Sequence, residues 1–130
     1  MNRATGITLS LLRIASATIS VCAGGMKLLH WFGGMPAGFP LTPLLTVAAV
    51  IELVGGTAML LGLFVRPVAF LASGEMAVAY FKAHFPHGFW PIQNHGELAI
   101  LFCWLFLYFA AQGPGAFALD NLRRRSGGTG

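Results

Sequence analysis

The chain has 130 residues, 56% hydrophobic and only 9% charged, with mean hydropathy +0.73 and a formal net charge of +4. A soluble domain carries charge on about a quarter of its residues, so the composition excludes an ordinary water-soluble domain. The basic residues form no basic domain, which argues against nucleic-acid binding, and the cysteines, Cys22 and Cys103, form neither a CxxC motif nor a disulfide framework.

Apolar runs of about 20 residues, the length that crosses ~30 Å of hydrocarbon, alternate with short polar breaks. They predict an all-α fold, an antiparallel bundle of four transmembrane helices, over about 7–29, 43–65, 68–85 and 96–112. This bundle is expected to fill residues 1–120, with a basic, Gly-rich tail over 121–130. In the first span Arg13, Ser16, Ser20, Gly24 and Lys27 recur at spacings of three and four, one polar and small-residue stripe suited to close helix packing. Cys22 in this span and Cys103 in the last read as small buried apolar residues.

His30–Thr42 is a Gly- and Pro-broken loop whose Trp31, Phe32 and Phe39 suit a headgroup zone. The second span carries one carboxylate, Glu52, on the same side as Gly55, Gly56, Met59 and Gly62. Arg66-Pro67 makes the next turn. In the third span Glu75, Ala79 and Lys82 share a face. Glu75 and Lys82 lie about 10.5 Å apart along the helix axis, so each needs a partner on another helix. Pro86–His95 is an aromatic, imidazole-rich loop. The fourth span aligns Glu97, Ile100, Leu101, Trp104, Tyr108 and Ala111, and Gly113-Pro114-Gly115 ends it. Asp120, Arg123-Arg124-Arg125 and a Gly-rich end expected to be disordered complete the chain.

Arg3, Arg66 and the triple Arg fall on one side of this four-span arrangement, and the two opposite loops hold no Lys or Arg. The positive-inside rule then places both termini in the cytoplasm. Glu52, Glu75 and Glu97 lie in or beside spans, balanced by Arg13, Lys27 and Lys82. An ionisable group in hydrocarbon needs a partner. Depth counted from the span ends predicts a structural Arg13–Glu75 ion pair. Lys27, Glu52, Lys82 and Glu97 are expected in the outer half with His84, His87 and Asn94, as a polar chamber walled by Trp104 and Tyr108. His30 and His95 lie nearby. No HxxxH or HExxH spacing points to a metal site. Two readings stand: the charges fix helix register, or they line a site for a small ligand or proton path.

Gly24-Gly25-Met26-Lys27-Leu28, Glu52-Leu53-Val54-Gly55-Gly56, Gly62 to Pro67, Met76 to Lys82, Pro86 to Pro91 and Asn94-His95-Gly96-Glu97 together resemble the DoxX family of small four-helix bacterial membrane proteins. The resemblance runs from about Leu9 to Asp120. One departure stands out: family members often have His-Gly-x-x-Lys at the end of the first helix, and Ala23 stands where that His would be. The resemblance implies a subunit associated with thiosulfate:quinone oxidoreduction or with thiol and oxidative-stress defence, working with a protein partner. On that reading a quinone is the ligand. Trp104 and Tyr108 stack on it, Lys82 or Lys27 donates to a carbonyl, and Glu52 or Glu97 carries protons. The competing class is a non-catalytic membrane scaffold or chaperone, with His84–His95 as its contact surface. A homo-oligomer is compatible with either.

Overall fold

The computed structural model describes residues 2–35 and 41–127. Phe39 and the final residues of the Gly-rich end, assigned above to a headgroup zone and to disorder, lie outside them. The described elements are helical, with no strand among the described residues. Two helices, Arg3–Leu29 and Pro43–Leu61, are long and apolar enough to cross a membrane, and a shorter apolar helix covers Glu97–Gln112.

Helix α1 (Arg3–Leu29) begins where the Asn2 side chain accepts the Thr5 N–H at 2.8 Å. It ends at His30, a left-handed residue whose N–H reaches the Gly25 carbonyl. Helix α2 (Pro43–Leu61) begins with Thr42 accepting the Leu45 N–H at 3.1 Å and Pro43 in the first turn, where its missing N–H costs nothing. Its middle widens into a π turn over Ile51–Gly55. Gly62, at φ 75°, ends it, and the Leu63 N–H closes onto the Ala58 carbonyl at 2.8 Å.

Helix α3 (Val65–Ala79) runs on into a second π turn, Tyr80–His84. Short turns over Phe85–His87 and Pro91–Asn94 lead to α4 (Glu97–Gln112). A last helix, α5 (Leu119–Gly127), takes in the triple Arg, where a tail was expected.

The contacts fix direction and register. Along α1, Arg13, Ser20 and Gly24 meet in turn Gly62, Gly56 and then Ala49 with Leu53, so α1 and α2 are antiparallel. A Cβ on Gly24 would sit 2.5 Å from the Leu53 nitrogen and 2.8 Å from the Ala49 carbonyl oxygen. Only glycine lets the two backbones come this close. Helices α3 and α4 are also antiparallel: Arg66 reaches the carbonyls of Ala110 to Gln112, Ser73 Oγ donates to the Cys103 carbonyl at 2.7 Å, and Tyr80 packs on Gly96. Leu9, Ala17, Met59, Ala72, Phe106 and Phe109 form the core between these pairs.

Candidate functional site

The polar stripe of α1 is buried against α2, with Arg13, Ser16, Ser20 and Gly24 all inaccessible. At its C-terminal end Lys27 Nζ lies 2.7 Å from each carboxylate oxygen of Glu52, a symmetric ion pair. The π turn presents Glu52 here. Such a turn leaves its carbonyls poorly matched to i→i+4 donors, and Ser20 Oγ donates to the Glu52 carbonyl at 3.1 Å. One stripe of α1 thus holds both the backbone and the side chain of Glu52.

Glu75 completes the group. Its buried carboxyl lies beside this pair, near enough for the charges of Glu52 and Lys27 to act on it. Among the described residues no donor reaches either Glu75 oxygen. The arrangement is one ammonium paired with one carboxylate, with a second buried carboxyl group beside them.

The Arg13–Glu75 pair expected from depth is not formed. Arg13 donates instead to the carbonyls of Pro114 and Phe117. Gly113 and Gly115, at φ 94° and 91°, turn the chain back over α1 after α4, and the carbonyls of that loop need donors. Ser10 Oγ accepts the Phe117 N–H at 2.9 Å, and the Ala116 N–H reaches the Gly6 carbonyl at 3.1 Å. Glu75 meets Glu52 because the hairpin makes them equally deep: Glu52 stands ten residues before Gly62 and Glu75 eleven after Phe64. Counting outward from that turn is the sequence signal that finds the contact.

The polar chamber does not assemble as expected. Trp104 and Tyr108 are 67% and 49% exposed and face outward, because α4 buries Ala99, Phe106 and Phe109 instead. Lys82, Glu97, His87 and His95 are also exposed. His84 Nδ1 lies 3.1 Å from the Asn94 carbonyl oxygen. Asn94, expected to bind ligand, is buried and satisfied internally: its Nδ2 donates to Gly88 O at 2.9 Å and to Tyr80 Oη at 3.2 Å, and its Oδ1 accepts the Gly96 N–H at 2.8 Å. It fixes the 84–96 loop. Tyr80, whose hydroxyl also donates to the Phe89 carbonyl at 3.3 Å, is the partner that sequence reasoning missed. Cys22 and Cys103 are free thiols. Among the described residues no three His, Cys, Asp or Glu side chains gather closely enough to hold a metal ion.

A family model described as DoxX matches residues 8–85, which take in most of α1, all of α2 and α3, and all three members of the Lys27–Glu52–Glu75 group. An uncharacterized protein of Haemophilus influenzae is 47% identical over 118 residues, 87% of this chain and 88% of its own. The chain belongs to the DoxX family. No solved structure matches it. Glu97, Trp104 and Tyr108 fall beyond the matched DoxX segment, and the buried charge group lies wholly inside it.

Proposed function

We propose that this DoxX protein is a four-span inner-membrane protein, termini in the cytoplasm, that handles protons for quinone-linked redox chemistry carried out with a protein partner. The observation that carries the reading is the imbalance at Lys27–Glu52–Glu75: two buried carboxyl groups stand beside one ammonium that pairs with Glu52, and among the described residues Glu75 receives no donor. Charges that served only to fix register would be neutralised pairwise. Arg13 is spent on backbone carbonyls and Lys82 is exposed, so neither balances Glu75. A carboxyl held this way can take up and release a proton with little change in the fold around it.

Reduction of a quinone to a quinol takes two electrons and two protons. The sequence carries no flavin, haem or iron–sulfur motif, so the electrons come from the partner, and the Glu52–Glu75 pair supplies protons. Trp104 and Tyr108, facing outward, serve as contacts for a quinone moving in the lipid. The spanning of α3 and α4 is supported by their antiparallel packing along their length beside α1 and α2.

The test is extraction and substitution. Protein purified in mild detergent is extracted with organic solvent and quinone is measured by mass spectrometry, beside Trp104→Ala. Glu75→Gln keeps shape and removes the exchangeable carboxyl; we expect normal abundance with redox-linked function reduced at least tenfold. Quinone at the lipid background, together with an unaltered Glu75→Gln phenotype, rejects the reading. That result favours a membrane scaffold, for which the exposed Phe89, Trp90 and Ile92 of the 84–96 loop supply a contact surface.

A further inference from the structure

The C-terminal segment is built into the fold at the end opposite the 84–96 loop. Asp120 accepts the N–H groups of Phe64 and Val65 at 2.8 and 3.0 Å, capping the start of α3 from a distance in sequence. Its own N–H reaches the Gly62 carbonyl at 2.9 Å. Between this segment and the α2–α3 turn lies a cleft of about 380 Å³, lined among others by Arg66, Arg123, Asn121 and Asp120. The carboxylate of Asp120 is committed to the α3 N–H groups and to Arg123 at 3.5 Å. Arg66 bonds only uncharged carbonyls at the end of α4. The cleft therefore keeps an excess of positive charge. Arg123, its side chain 57% exposed, lies with Cζ 4.2 Å above the Phe64 ring, so its guanidinium is held and accessible. In the same segment Phe117, Leu119 and Leu122, 56%, 41% and 56% exposed, line a neighbouring cleft with Leu60 and Leu61, and Asn121 lines both. Arg124 and Arg125 follow in the sequence.

We propose that this cleft binds the headgroup of an anionic phospholipid, with Arg66 and Arg123 on its phosphate. Guanidinium groups match phosphate oxygens in a bidentate fork. Exposed apolar side chains beside clustered arginines are what an amphipathic segment needs at a bilayer surface. The exposed Phe117, Leu119 and Leu122 of the same segment favour a lipid over a soluble phosphate compound, because they seat the segment in the upper bilayer where a headgroup meets Arg66 and Arg123. The inference rests on the spanning reading for one thing only, that this end of the helices meets a bilayer surface.

The experiment follows thermal unfolding of the full chain in mild detergent as phosphatidylglycerol, phosphatidylcholine or inorganic phosphate is added. The expected result is stabilisation by phosphatidylglycerol at several-fold lower concentration than by phosphatidylcholine, none from inorganic phosphate, and a preference that fades in high salt. Arg123→Gln should weaken the response to phosphatidylglycerol on the order of fivefold. Arg123→Lys should keep most of it, and Arg3→Gln should leave it unchanged. Equal responses of the wild type to the two lipids overturn the site while leaving the spanning reading intact, and they do so even if Arg123→Gln cannot be purified. An equal response to inorganic phosphate, or an undiminished preference in Arg123→Gln, also overturns it. No response to either lipid overturns the site and leaves the spanning reading intact.

Discussion

Lys27 and Glu52 have side-chain exposures of 16% and 5%, so each has given up nearly all its water for the other. Removing one partner strands a buried charge. Lys27→Met should therefore destabilise the protein by about 3–5 kcal/mol, the cost of breaking a buried pair from one side. Replacing both at once, Lys27→Met with Glu52→Leu, removes the stranded charge and should recover most of that loss. Thermal or denaturant unfolding of the four corners of this cycle in detergent measures it. A double variant as weak as Lys27→Met alone would mean that Glu52 does something besides answer Lys27. Glu75 behaves differently because it has no donor to lose. Glu75→Gln should leave the unfolding midpoint nearly unmoved, and that is what makes it a clean probe of proton handling.

Helices α1 and α2 owe their contact to missing side chains. Gly24→Ala puts a methyl 2.5 Å from the Leu53 nitrogen and 2.8 Å from the Ala49 carbonyl oxygen, backbone atoms that cannot rotate away. The helices must part, at about 1–3 kcal/mol by the measure of overpacked cores, and Ser20 and Lys27 lose hold of Glu52. Gly74 on α3 meets nothing within 4 Å. Gly74→Ala should be neutral or stabilising by up to about 1 kcal/mol, since alanine is the better helix former. Opposite signs for one chemical change, read by thermal unfolding, test the packing directly. The α1 stripe was legible because polar and small residues stand out against an apolar helix at the helical period. The buried face of α4 was not. That helix is apolar nearly all round, so its sequence offers no contrast, and Trp104 and Tyr108 drew attention as large aromatics although Phe106 and Phe109 are the ones enclosed. Neither π turn has a signal in the sequence, yet one of them presents Glu52 to Lys27.

At the scale of the molecule the all-helical fold follows from apolar runs too long for strands and broken by Gly and Pro. The return of the chain over α1 after Gly115 is set by contacts between residues about a hundred positions apart, Arg13 with Pro114 and Phe117, which no local pattern announces. That return brings the basic residues together: Arg66 at the end of α4, and Arg123 over Phe64, beside the Gly62–Val65 turn. The 84–96 loop, with no Lys or Arg after Lys82, occupies the other end. If the helices span, a cluster of positive charge at one end and none in the facing loop demands that the cluster stay in the cytoplasm. Green fluorescent protein fused after the C-terminus should then fluoresce, and alkaline phosphatase fused there should be inactive. Alkaline phosphatase inserted at Gly88 should be active, because that orientation puts the loop in the periplasm. Activity at the C-terminus with silence at Gly88 would invert the orientation. Activity at both sites would mean that the chain crosses an even number of times between them, and so that α4 does not cross.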